Sequence, residues 1–158
     1  MEDLSLILWR ERELLETLLY KLEMEKLVLA SGASRWLASS AHEVEAVLES
    51  IRETELLRAV VADEAAARIG LAANPSLRAL AEAVDEPWRS ILLDHRAAFI
   101  GYTREIMEIA AANRELLSVG QQAARDSFLG LTEQPDSYSA TGSAVVGEHR
   151  SRLLDQSI

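Results

Sequence analysis

The sequence predicts an all-α protein: an elongated antiparallel helical bundle or coiled coil of about three long helices and one short one, followed by a disordered C-terminal tail. Three observations carry this. Nearly half of the 158 residues (49%) are apolar, while glycine (7), proline (3) and aromatic side chains (5%) are scarce. Strands and turns draw on those scarce residues, and the alanine, leucine, glutamate and arginine that dominate instead favour helices. Apolar positions recur every three or four residues through most of the chain, the period of one helix face.

The first helix runs from about Asp3 to Leu29, with a stripe at Leu4, Ile7, Leu8, Leu14, Leu15, Leu18, Leu22, Val28 and Leu29. Glu11 and Glu25 interrupt it. Asp3 is the expected N-cap, and Gly32 the expected left-handed stop. The second helix runs from Ser34, read as its N-cap, to about Ile69. Its stripe is Leu37, Ala41, Val44, Leu48 and Ile51, drifting to Leu57, Val60 and Val61. Asn74 as N-cap with Pro75 at the first helical position predicts a short helix over Ser76–Val84.

Pro87 fits the first turn of a last helix that runs to about Leu131. Its seam is the most regular in the chain: Trp88, Leu92, His95, Phe99, Tyr102, Ile106, Ile109, Asn113, Leu116, Gly120, Ala123 or Ala124, Ser127, Leu131. At 1.5 Å per residue this helix is on the order of 65–70 Å long, against about 40 and 50 Å for the first two. One end of it is expected to outrun its partners. The seam weakens after Leu117, where Gly120, Gln121, Gln122 and Ser127 enter. From Thr132 the chain turns to Ser, Thr, Gly and Pro135 without a long apolar period, the composition of a flexible tail. The expected division is a helical domain over 1–131 and a tail over 132–158.

Charge and composition exclude several functions. The formal net charge is −10, from 26 acids and 16 bases, and a phosphate-neutralising nucleic-acid binder needs the opposite sign. Charges break every apolar run, so no membrane insertion is expected, and the acidic start Met1-Glu2-Asp3 does not resemble a secretory signal. A cytoplasmic protein is the expectation. With no cysteine there is no thiolate metal site or thiol nucleophile. The three histidines lack the Glu-x-x-His pairing of a di-iron bundle, and there is no glycine-rich phosphate loop. His42-x-x-Glu45 could hold a metal, but a solvated polar face explains it better. His95 reads as a hydrogen-bonded core histidine. Asn113 in the seam reads first as a buried residue that fixes register, second as a polar contact to a partner. No catalytic residue and no cofactor is expected.

The surplus lies at the end of the longest helix, where Leu116, Leu117, Val119, Phe128, Leu129 and Leu131 face few helices of the same chain. An apolar face without an internal partner marks an interaction site or a dimer seam.

Several local strings resemble the FlgN family of bacterial flagellar export chaperones. Glu11-Arg12-Glu13-Leu14-Leu15 is similar to its first helix, and Glu86-Pro87-Trp88-Arg89 followed by Leu92 and Leu93 to the entry of its long C-terminal helix. Asn113-Arg114-Glu115-Leu116-Leu117 resembles an Asn-x-x-Leu-Leu element, and Tyr138-Ser139-Ala140-Thr141-Gly142 a Tyr-x-x-x-Gly tail. Their order spans nearly the whole chain, although Ser76–Val84 matches no family motif. The resemblance implies a chaperone that binds the C-terminal helix of hook-associated (hook–filament junction) proteins. Such a chaperone prevents premature polymerisation and targets its cargo to the flagellar export apparatus, its gate and ATPase complex. Carried over, it implies cargo binding by Asn113, Leu116, Leu117, Ala124, Phe128 and Leu131, and docking on the export gate by Tyr138. The rival readings are a structural coiled-coil homodimer or adaptor and, more remotely, a helical metalloenzyme using His42.

Overall fold

The computed structural model describes residues 1–132, and side chains as far as Gly130. Four α-helices follow one another: α1 (Glu2–Ala30), α2 (Leu37–Arg68), α3 (Leu77–Glu82) and α4 (Trp88–Thr132), with a 3-10 turn at Ser34–Trp36 ahead of α2. The described residues contain no strand. The all-α bundle expected from the periodicity is what forms. The described residues divide into two units, Met1–Leu116 and the part of α4 from Leu117 onward.

In the first unit the ion pairs fix the helix directions. Glu11 meets Arg58 and Lys21 meets Glu43, so partner numbers fall along α2 as they rise along α1, and the two run antiparallel. Arg12 meets Asp94 and Asn113 meets the Leu22 carbonyl, so α4 runs parallel to α1. The topology is up, down, up, and α3 lies in the return between α2 and α4.

Two apolar clusters fill this unit. In one, Leu4 and Leu8 of α1 pack with Ala62, Ala65 and Ala66 of α2, Leu80 and Ala81 of α3, Val84, and Leu92 of α4. Small alanines on α2 leave room there for the leucine of α3. In the other, Leu18, Leu22 and Ile51 pack with partly buried Val44, Leu48, Ile106 and Ile109. Each fully buried leucine contributes about 1.5–3 kcal/mol. The α4 seam from Trp88 to Leu116 is buried or half-buried at every predicted position.

Helix ends follow different residues from those expected. Gly32 does close α1, at φ +66, with Ala33 N–H bonded to Val28 O and Gly32 N–H to Leu29 O. Gly70 repeats this Schellman arrangement after α2, at φ +75. The starts were misplaced. Met1, not Asp3, is the N-cap of α1, and Asp3 lies in the first turn, where its charge still meets the positive end of the helix dipole. Ser34 opens the 3-10 turn, and Trp36 stands at the cap of α2. Ser76, not Asn74, caps α3: its Oγ accepts the Ala79 N–H at 3.1 Å. Asn74 is left-handed (φ 57), outside the extended region a cap needs, and its N–H goes to the Asp63 carboxylate. The α2 stripe also departs from expectation. Ile51 is buried as expected, but beyond it Leu57 and Val60 are exposed, and the buried positions are Thr54, Ala62, Ala65 and Ala66.

Candidate partner-binding surface

Apart from Tyr138, the residues predicted to meet a partner lie in the second half of α4, from Asn113 to Leu131. The seam reaches its last buried residue at Asn113 and its last half-buried one at Leu116. Every side chain from Leu117 to Gly130 is exposed. At about 100° per residue, Leu117, Ala124 and Phe128 share an arc of about 40°. Within the second unit this apolar arc is exposed surface. Phe128 is 62% exposed and Leu117 38% exposed. Ala124 lies between them, and the side chain of Leu131 is outside the described residues. Val119 and Leu129 are exposed too but lie off this arc. Within this segment Gln122 Nε2 donates to Asp126 Oδ1 at 2.9 Å and Ser127 Oγ to the Ala123 carbonyl at 2.9 Å. Both bonds are local and run from residue i to i+4 or i−4, which leaves the apolar arc clear.

Asn113 is placed differently from the rest. It is buried, and its Nδ2 donates both to the Leu22 carbonyl and to Glu25 Oε2, each at 2.9 Å. Its amide thus ties α4 to the end of α1, the register role that a polar seam residue performs. Its Oδ1 has no hydrogen-bond partner. Tyr138 and the rest of the tail beyond Thr132 lie outside the described residues.

Two ionisable groups are also buried in the first unit. His95 is fully buried, but neither ring nitrogen has a hydrogen-bond partner, contrary to the hydrogen-bonded histidine expected. It packs instead between rings, with Trp9 edge-on at 5.0 Å and Phe99 at 6.2 Å. Burial pushes its pKa below the ordinary value, the Arg12 guanidinium adds to this, and Asp94 opposes it. Glu11 is buried against Arg58, 3.3 Å away, without forming a hydrogen bond through Oε2. Burial raises its pKa, Arg58 lowers it and Glu55 raises it. His42 and Glu45 are exposed, and among the described residues no group of three or more metal-ligating side chains comes together.

One feature escaped the sequence reading. Leu93, Ile100 and Met107 form a second exposed apolar row on α4, beside the buried seam. Their seven-residue spacing could have revealed it, but each follows a seam residue and was absorbed into that seam.

No helix among the described residues is long and apolar enough to cross a membrane. No curated protein and no solved structure matches the chain. The family model described as FlgN protein matches residues 1–145, which takes in all four helices and half of the chain that follows them. The chain belongs to the FlgN family.

Proposed function

We propose that this protein is a cytoplasmic flagellar export chaperone that binds the C-terminal helix of hook-associated proteins and carries them to the export gate and ATPase complex. Membership of the FlgN family, a chaperone family, supports the general role in flagellar export. The observation that carries the finer reading is the exposed apolar arc at the end of α4. Leu116, Leu117, Ala124, Phe128 and Leu131 form the cargo surface. Asn113 fixes the register of α4 against α1, from which that surface leads. Residues 1–131 act as the chaperone domain and 132–158 as a tail whose Tyr138 docks on the gate.

The physics of the step is helix on helix. An unpartnered cargo helix loses conformational entropy when it is ordered on binding. Burying apolar area on both helices offsets this at about 25 cal/mol per Å². The balance leaves a reversible complex, as release of cargo requires. No covalent step and no cofactor enters.

The test is co-purification with a hook–filament junction subunit. The complex is expected with the intact subunit and lost when its C-terminal helix is deleted. Phe128→Asp and Leu117→Asp are expected to weaken the complex about tenfold or more, the equivalent of one buried large apolar side chain, with helical content unchanged. A complex that survives loss of the cargo helix refutes the binding mode. A tight homodimer of the 17.4 kDa chain that persists on dilution and is broken by Phe128→Asp would instead make the arc a dimer seam.

A further inference from the structure

A groove of about 720 Å³ lies between α3 and α4 in the first unit. Leu77, Phe99, Ile100 and Met107 give it apolar walls. Ile100 and Met107 are 55% and 65% exposed, although both are large apolar side chains. An adjoining recess contains Leu93 and Arg89 and shares Arg78 and Arg96 with the groove. Leu93, Ile100 and Met107 thus present one row at seven-residue intervals, the period at which one helix seats another.

The charges around this row run against the rest of the chain. The protein carries −10 overall, yet the groove lining holds Arg78, Arg96 and Arg104 against Glu108 alone. Arg78 is already paired with Glu82 at 2.8 Å. Arg96 and Arg104 are exposed and have no ion-pair partner among the described residues. Two guanidinium groups beside an apolar row are suited to pairing with carboxylates while the row is covered.

We propose that this groove is a docking site for an acidic amphipathic helix of a partner protein. The apolar stripe of that helix covers Leu93, Ile100 and Met107, and its flanking carboxylates pair with Arg96 and Arg104. A bare polyanion would use the arginines but would leave the apolar row uncovered, whereas an acidic helix satisfies both. The site uses none of the residues assigned above to cargo, so it goes beyond the chaperone reading and does not depend on it.

The test uses the full chain and two fluorescent peptides of about three heptads, with leucine at a and d. One carries glutamate at e and g, its twin lysine. Anisotropy titration is expected to give saturable binding of the acidic peptide and binding at least about tenfold weaker for the basic one. Arg96→Glu with Arg104→Glu is expected to invert that preference. Ile100→Ser with Met107→Ser is expected to weaken the acidic peptide about tenfold or more. Arg35→Glu with Arg52→Glu, the same charge change elsewhere in the chain, is expected to leave it unchanged. Circular dichroism checks that each variant stays folded. The proposal is overturned if the acidic peptide does not saturate, if both peptides bind alike, or if the Arg35 and Arg52 changes act equally. It is also overturned if duplex DNA or phosphatidylglycerol vesicles bind through Arg96 and Arg104 and the acidic peptide cannot displace them.

Discussion

At the scale of single residues, the buried ionisable groups set how the first unit responds to pH. His95 has its pKa depressed in the folded protein, so the folded state prefers the neutral ring. The stability this preserves is present above the ordinary histidine value near 6.5 and is lost as pH falls through the depressed value. Urea midpoints are therefore expected to drop between about pH 8 and pH 5.5, and His95→Leu to flatten that slope. An unchanged slope in the variant would show that another group titrates. Glu11 has the opposite sign: its raised pKa means that the folded state disfavours the charge. Its contribution is intact below the ordinary carboxylate value and turns unfavourable as pH rises through the folded one. Arg58, its partner, is partly solvated and can do without it. Glu11→Leu, which joins Leu8 to Leu15 in one stripe, is expected to raise stability at neutral pH by about 1 kcal/mol or more. Chemical denaturation decides this, and a lower midpoint would mean that the ion pair outweighs its desolvation.

At the scale of elements, the sequence disclosed the helices better than their ends. The α4 seam could be read from Trp88 to Leu116 because each seam residue is apolar, packed among rings like His95, or, like Asn113, polar with a partner within reach. The caps could not, because serine, asparagine and aspartate are good caps only where the backbone is extended. Asn74 and Ser76 are equally suitable by residue type, and the turn that Asp63 stabilises decides between them. The lower half of α2 departs from its sequence pattern for a related reason. Larger residues at Leu57 and Val60 suggested a core, yet α3 demands alanines at the face it covers. The buried histidine was legible as core but not as unpaired, since a hydrogen-bond partner is a tertiary matter. Asn113 offers the sharpest element-scale prediction. Asn113→Ala removes two hydrogen bonds, one of them to a carboxylate, and should cost about 1–3 kcal/mol. Asn113→Leu should recover much of that in thermal melts while loosening the register of α4 on α1. Equal losses in both variants would mean that the hydrogen bonds, not the volume of the side chain, matter at this position.

At the scale of the molecule, the parallel course of α1 and α4 has a consequence for how the chain assembles. The contacts that join these helices link residues 82 and 91 positions apart, whereas Lys21 reaches Glu43 across only 22. Closing the longer loops costs more entropy, and such contacts are formed late. The α1–α2 hairpin can close while the rest of the chain is still being synthesised, and α4 settles onto it afterwards. Pulse-labelled hydrogen exchange during refolding is expected to protect Leu18 and Ile51 before Ile106. Simultaneous protection would indicate a single concerted step. The helix proposed to receive cargo is then also the last to find its place, so a newly made chaperone reaches its finished form by the same act, a helix laid along a waiting pair, that it is proposed to perform for others.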